Sequence, residues 1–254
     1  MSLHSDFILS SISTLMDDSA RALLSADRGM NYASTYEYIL QAVFMRMTGY
    51  LEQKLKCVCW ELATQDYEYR FVRYLAGRGV GCSQYHDKKQ ILNDLVEAIE
   101  KLGCKFQVLN QERKNILNAA MLALDEFHTL SKAGLCGDGV FDISMALLKR
   151  ISVDDILPQV KDKWDFFSGD PKASGGHLIG KKVNLQYLYE VAVYRHRNRC
   201  AHNTLCYQTN HPDLRSIVRD DFAYQNYYVR LFILLLIDQI VVAVFKRWQR
   251  IVEW

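Results

Sequence analysis

Residues 194–203 contain the densest set of chemically active side chains in the sequence. They read Tyr-Arg-His-Arg-Asn-Arg-Cys-Ala-His-Asn, with three arginines, two histidines and two asparagines among ten residues. Arginine offers a fixed cation whose planar fork of donors matches two phosphate oxygens. Histidine exchanges a proton near neutral pH, because its unperturbed pKa is about 6.5. Chemistry at a phosphate group needs both, so this segment is the candidate functional site.

Periodicity predicts that the candidate site lies between two helices. A helix is expected from Asn184 to Tyr194 and a long, very apolar one from Asp220 to Trp254. Three prolines and thirteen glycines are few for 254 residues. Apolar residues also recur three and four positions apart along much of the chain, which is the helical pattern. The sequence therefore predicts an all-α protein built as a multi-helix bundle.

Further helices are predicted upstream of the site, at residues 5–24, 34–63, 88–102, 111–132, 141–150 and 153–167. The buried face of the longest is expected to carry Tyr38, Ala42, Met45, Gly49, Leu55, Val58 and Leu62. Glycine-rich stretches at 77–81 and 168–182 predict loops. We expect an N-terminal helical region of unassigned role at 1–170 and a second region at 171–254, although one continuous domain also suits this length.

Charge and cysteine content restrict the class of protein. A net charge of +2 is low for a protein that coats nucleic acid, so any phosphate contact must be local. Seven cysteines, several in apolar helical runs, suggest reduced thiols in a cytoplasmic protein.

The apolar run 231–245 is shorter than the roughly twenty residues that span a bilayer, and Asp238 interrupts it. A buried central helix or a dimer-interface helix is expected there, and no membrane partner.

Arg197-Asn198-Arg199-Cys200-Ala201-His202 has the form Arg-Asn-x-x-x-His. In this helical context it resembles the HEPN superfamily (higher eukaryotes and prokaryotes nucleotide-binding), and the resemblance covers residues 184–254. It implies a HEPN-like helical core in this region and metal-independent cleavage of RNA without a cofactor. It also implies a site that two copies of the chain form together. The surrounding residues resemble abortive-infection and toxin members, which suggests antiviral defence and an antitoxin or regulatory partner.

The residue types support such a reaction on chemical grounds. RNA carries a 2′-hydroxyl that attacks the adjacent phosphate once its proton is removed and the charge on the oxygens is stabilised. We assign proton transfer to His202, the phosphate clamp to Arg197, and positioning of the phosphate or of His202 to Asn198. Further substrate contacts are expected from Arg195, Arg199, Lys181 and Lys182.

Helix geometry leaves the identity of the clamp open. On a continuous α-helix, positions 197 and 202 lie about 140° apart around the axis, whereas 195, 198 and 202 share a face. Either the helix breaks between Arg197 and His202, or the two side chains converge from opposite sides of a groove. Arg195, which shares the face of His202, could also replace Arg197 as the clamp. A twofold dimer would supply two histidines, one for each proton transfer.

Two alternatives of other classes remain. The chain could be a HEPN-like module that binds RNA, a nucleotide or a protein without catalysis. It could also be a zinc-stabilised scaffold, since His196 and Cys200 are four residues apart, as are His202 and Cys206, with His211 nearby. Four-residue spacing places two ligands on one helical face. The sequence has no Cys-x-x-Cys pair in this region, which disfavours zinc.

Overall fold

The computed structural model describes residues 3–25, 32–75, 81–132, 185–202 and 227–253. Every regular element in these ranges is a helix, which confirms the predicted all-α bundle. The elements are α1 (Leu3–Leu9), α2 (Thr14–Ser25), α3 (Tyr32–Gln65), α4 (Tyr67–Arg70), π1 (Phe71–Leu75), α5 (Tyr85–Lys101), α6 (Asn110–Lys132), α7 (Leu185–Leu188), π2 (Tyr189–Tyr194), α8 (Arg195–His202) and α9 (Tyr227–Val252). The helices predicted at 141–150 and 153–167, the loop at 168–182 and the expected domain boundary lie outside the described residues, as does most of the loop at 77–81.

Helix α9 lies at the centre of the described bundle. Helices α1, α3, α5, α6 and π2 all pack against it, and every residue from Tyr227 to Asp238 is buried. By length and apolar composition α9 could cross a membrane, but 89% of its apolar window is buried inside the structure. A helix that is apolar on all sides is covered by neighbouring elements. This burial is that of a core helix.

Helix α3 covers one side of α9 and also contacts α8, the helix that carries the candidate site. Its buried face carries residues three and four apart, Leu40, Val43, Phe44, Met47, Leu51, Leu55, Val58 and Leu62. The predicted face was wrong in the first half of the helix, where Tyr38 is 72% exposed and Gly49 is also exposed. Apolar residues occur on both sides of this half, so periodicity alone could not choose the buried side.

The single helix predicted over 5–24 is also wrong, because the structure divides it into α1 and α2. Serine side chains bind the backbone at the break. The Ser10 hydroxyl donates to the Phe7 carbonyl at 2.7 Å, and the Ser13 amide donates to the Ser11 hydroxyl at 3.2 Å. Such local bonds compete with the helical ladder. Asp238 of α9 accepts the Ile12 amide at 3.1 Å, so a tertiary contact also fixes the break.

A buried ion pair joins the N-terminal helices to the centre of the bundle. Lys54 of α3 donates to Asp238 of α9, and both side chains are completely buried. Lys54 also donates to the Ser10 carbonyl at 2.6 Å. Burial lowers the pKa of Lys54 and raises that of Asp238, because it penalises each charged form. The two residues therefore depend on each other for partners.

Candidate functional site

The candidate site lies on α8, which continues directly from π2. The Arg195 amide donates to the Glu190 carbonyl, five residues earlier, and α-helical geometry follows from Arg195 to His202. π-Helical turns are rare and occur often at functional sites. Sequence periodicity predicted this segment as an ordinary helix over 184–194 and gave no sign of the π turn.

Helix α8 is continuous from Arg195 to His202, so the first alternative for the clamp, a break between Arg197 and His202, does not apply. Positions 195, 198 and 202 then lie within about 60° of one another around the axis. Arg195 is exposed, whereas His196, about 100° away, is buried. The side facing away from the core therefore carries positions 195, 198 and 202. Position 197 lies on the other flank.

His196 anchors α8 to the core. This residue is 2% exposed, and its ring lies 5.1 Å from the Phe44 ring and 5.3 Å from the Tyr227 ring, centre to centre. Arg199 Nη2 lies 2.6 Å from His196 Nδ1. Arginine has only donors, so Nδ1 accepts and the neutral ring carries its proton on Nε2. That nitrogen lies 3.2 Å from the Tyr227 hydroxyl, which accepts it.

The surroundings of His196 keep the ring uncharged. Burial, followed by the nearby charges of Arg230 and Arg199, lowers the pKa of His196 to about 2. A ring with this pKa is uncharged near neutral pH and does not take up a proton there. His196 therefore has a structural role, which the sequence alone did not distinguish from that of His202.

A pH-dependence of stability follows from His196. The unfolded ring has a pKa of about 6.5, above the folded value of about 2, so below pH 6.5 the unfolded chain binds a proton that the folded chain does not. Stability should therefore fall as the pH is lowered, by about 2 kcal/mol from this residue between pH 7.5 and 5. His196→Gln retains an acceptor for Arg199 and a donor for Tyr227 but cannot titrate.

Urea unfolding at pH 7.5 and pH 5 measures this effect. The wild-type chain should lose about 2 kcal/mol more than His196→Gln over this interval. The comparison removes the contribution of carboxyl groups, which both proteins share. An equal loss in the two proteins would contradict the burial of a neutral His196.

Arg230 of α9 fastens π2 beside the site. Arg230 is 3% exposed, its Nε donates to the Ala192 carbonyl at 3.0 Å, and its guanidinium lies 5.0 Å from the centre of the Tyr227 ring. Burial lowers the pKa of Arg230 to about 10, so it remains charged at neutral pH. A cation buried in an apolar helix costs free energy unless its donors are satisfied. The bond to the Ala192 carbonyl satisfies one of these donors, whereas Arg230 Nη1 has no hydrogen-bond partner among the described residues.

Arg197 is held from the opposite side by α3. Its Nη2 lies 3.4 Å from Glu52 Oε1, and the two side chains are 28% and 16% exposed. Its Nη1 donates to Asn198 Oδ1 at 3.3 Å. Because Glu52 offsets its charge and Asn198 occupies a donor, Arg197 is less available to a phosphate than an unpaired arginine would be.

A second buried cation supports this flank from α5. Lys88 is 1% exposed, donates to the carbonyls of Cys82 and Ser83, and lies 4.9 Å from the centre of the Tyr189 ring. Tyr189 of π2 donates to the same Ser83 carbonyl at 2.7 Å. Burial lowers the pKa of Lys88 to about 8, while Glu52 acts in the opposite direction. These bonds attach π2 to the turn that precedes α5.

The structure thus brings together Arg195, Arg197, Asn198 and Arg199 of the predicted site residues. Arg199 Nη2 contacts His196 Nδ1, and the substrate contact expected of Arg199 stays a prediction. Lys181 and Lys182 lie outside the described residues, as does the side chain of His202. Position 202 itself is placed by α8.

The zinc alternative gains no ligand set from the described part of the chain. His196 Nε2 and Cys200 Sγ lie 3.5 Å apart, and the same ring is engaged by Arg199 and Tyr227. No group of three or more His, Cys, Asp or Glu in the described ranges is arranged to hold a metal. Cys206 and His211 lie outside those ranges.

Three residues that shape the site were not predictable from the segment itself. Glu52, Lys88 and Arg230 come from three separate helices, and nothing in their local sequence connects them to residues 194–203. Of the three, only Arg230 could have been suspected from the sequence, because a charged residue next to an apolar run needs hydrogen-bonding or charged partners. Its partner could not be named without the fold.

Comparison of the sequence with protein-family models and with curated proteins, and of the structure with solved structures, gives no match.

Proposed function

We propose that this chain is a metal-independent endoribonuclease of the HEPN type, acting as a cytoplasmic homodimer in phage defence or a toxin system. The observation that carries the proposal is the outward face of α8, where positions 195, 198 and 202 lie together on a continuous helix. The core side of the same helix is fixed by His196. A rigid helix with a supported core side is a suitable base for catalytic groups.

The proposed reaction needs two proton transfers and one clamp. His202 takes the proton of the 2′-hydroxyl, the 2′-oxygen bonds to phosphorus, and the bond from phosphorus to the 5′-oxygen breaks. A second histidine, supplied by another copy of the chain, gives the leaving 5′-oxygen a proton. The products are a 2′,3′-cyclic phosphate and a 5′-hydroxyl. DNA lacks the nucleophile and is spared.

We assign the phosphate clamp to Arg195 in preference to Arg197. Arg195 is exposed, shares the face of position 202, and forms no ion pair with any residue in the described ranges. Arg197 is paired with Glu52 and bonded to Asn198. Arg197 then acts as a positioning residue for Asn198, and Asn198 for the phosphate or for His202.

Alanine variants separate the two arginines. Arg195→Ala should lower kcat/KM for RNA cleavage by about 100-fold or more, the usual loss when one donor to a transition-state oxyanion is removed. Arg197→Ala should lower it by less, because it removes a residue that acts through Asn198. Arg195→Lys should recover only part of the rate, since an ammonium lacks the two-pronged fork. The measurement is initial cleavage rate against RNA concentration.

If Arg197→Ala failed to cleave RNA and Arg195→Ala cleaved it at the wild-type rate, the phosphate clamp would be Arg197 and not Arg195. RNA binding that depends on these arginines without any turnover would assign the chain to the non-catalytic binding modules instead.

A further inference from the structure

A basic groove lies at the far end of α9, away from the candidate site. It is a cavity of about 510 Å³ lined by four cations, Lys105, Lys246, Arg247 and Arg250, against one carboxylate, Glu112. The walls are the C-terminal half of α9, the turn after α5 and the first turn of α6. We propose that this groove binds the phosphate backbone of the same RNA, several nucleotides from the bond that is cut.

The geometry of the cations suits a chain of phosphates. Lys246 and Arg250 are four residues apart on α9 and therefore share a face, while Lys105 faces them from the other wall. All three are exposed, and within the described ranges none of them forms an ion pair. Their charges are available to a ligand.

Arg247 is held in a fixed position on the floor of the groove. Its Nη1 donates to the Gln107 carbonyl at 2.6 Å, and its guanidinium lies 5.0 Å from the centre of the Phe106 ring. The N-terminal end of α6, which begins at Asn110, adds the positive end of a helix dipole. That dipole also explains Glu112, since a carboxylate in the first turn stabilises a helix.

The C-terminal dipole of α9 accounts for some of these cations but not for the groove. Cations in the last turns of a helix are stabilised there, which would explain Arg250. It does not explain Lys105, which comes from a separate segment and faces the same cavity. The proposal rests on the observation that cations from two walls of the groove converge on one cavity.

The lining favours RNA over a protein partner. Only Leu109 and Ala243 are apolar, and none of the lining residues is aromatic. Protein interfaces are depleted of charge at their centre and depend on aromatic anchors. Phosphates, in contrast, are bound by clusters of Lys and Arg without regard to base sequence.

The groove lies at a useful distance from the cleavage face. Arg230, which fastens π2, and Lys246 are sixteen positions apart on α9, or about 24 Å along the axis. An RNA strand bound both at the groove and at the face of α8 would span this distance. The choice of RNA as the ligand rests on the proposed function, but the test needs no cleavage.

Binding of a fluorescein-labelled 2′-O-methyl oligoribonucleotide, which has no free 2′-hydroxyl, measures affinity without cleavage, and substitutions in the groove isolate its contribution. The Lys246→Glu/Arg250→Glu variant should bind about tenfold more weakly or worse in low salt. Its plot of log affinity against log salt should be flatter by about 1.4, because each phosphate that a cation neutralises on a single strand adds about 0.7 to the slope. Fluorescence anisotropy gives both quantities.

The control variant Arg21→Glu/Arg46→Glu changes the net charge equally at two exposed residues outside the groove and should bind as the wild type does. The proposal is overturned if the groove variant binds as well as the wild type, if the control loses as much, or if the wild-type chain does not bind the probe. It is also overturned if polyglutamate binds the groove as tightly as the probe. Because the probe resists cleavage, failure of the nuclease proposal would leave these outcomes unchanged.

Discussion

The His202→Ala variant is expected to cleave RNA at least about 100-fold more slowly than the wild-type chain, because general acid–base catalysis contributes about 10²–10⁴-fold. Position 202 lies on the outward face of α8, whereas the pKa of His196 is lowered to about 2 by burial and by nearby arginines. A single-turnover assay with chelator present measures the loss.

His86→Ala is a matched control, since His86 is exposed on α5 and lies outside residues 194–203. It should cleave at the wild-type rate. Circular dichroism and the urea midpoint of His202→Ala would show whether the fold is retained. Equal cleavage by the wild type and a folded His202→Ala would remove this residue from the mechanism.

The Asp238→Asn variant is expected to lose about 3–5 kcal/mol of stability, because it leaves the completely buried Lys54 without its counter-ion. It also weakens the acceptor of the Ile12 amide. Urea unfolding measures the loss. Lys101→Ala is the control for an exposed pair with Asp66, whose side chains are 62% and 31% exposed, and it should cost no more than about 1 kcal/mol.

A double substitution isolates the interaction between the buried charges. Lys54→Met/Asp238→Leu should cost less than the sum of the single substitutions, since neither charge remains buried without a partner. Some loss should persist, because the Ser10 carbonyl and the Ile12 amide lose their side-chain partners. Additive single effects would contradict the mutual dependence of Lys54 and Asp238.

The bundle was predictable where one pattern dominates the local sequence. The continuous apolar run in α9 indicated a buried central helix, and the amphipathic period of α5 placed its start and end within a few residues. The buried side of α3 was not predictable, because Tyr38 and Met45 compete with Leu40 and Phe44 for the same role. The break between α1 and α2 was missed because a distant carboxylate, Asp238, helps to fix it.

The candidate site was predictable as a segment but not as an arrangement. Residue types located 194–203, and helix periodicity already grouped 195, 198 and 202. The choice between Arg195 and Arg197 depended on Glu52, which is 145 positions away in the chain. The structural role of His196 likewise depended on Phe44 and Tyr227, so local sequence could not separate the two histidines.

The two histidines of α8 have different tasks in this account. His196 is neutral and holds the helix to α3 and α9 through its contacts with the Phe44 ring and the Tyr227 hydroxyl. Its rigidity fixes the direction of the opposite face, where His202 and Arg195 are proposed to act. Substitutions that loosen His196 should therefore reduce stability and, through misplacement of the face, cleavage as well.

The most direct test compares RNA and DNA of the same sequence, incubated with purified wild-type chain in excess chelator. Only the RNA should be cut, and the upstream products should end in a 2′,3′-cyclic phosphate. Intact RNA, or cutting of both nucleic acids, would contradict attack by the 2′-hydroxyl and with it the proposed nuclease.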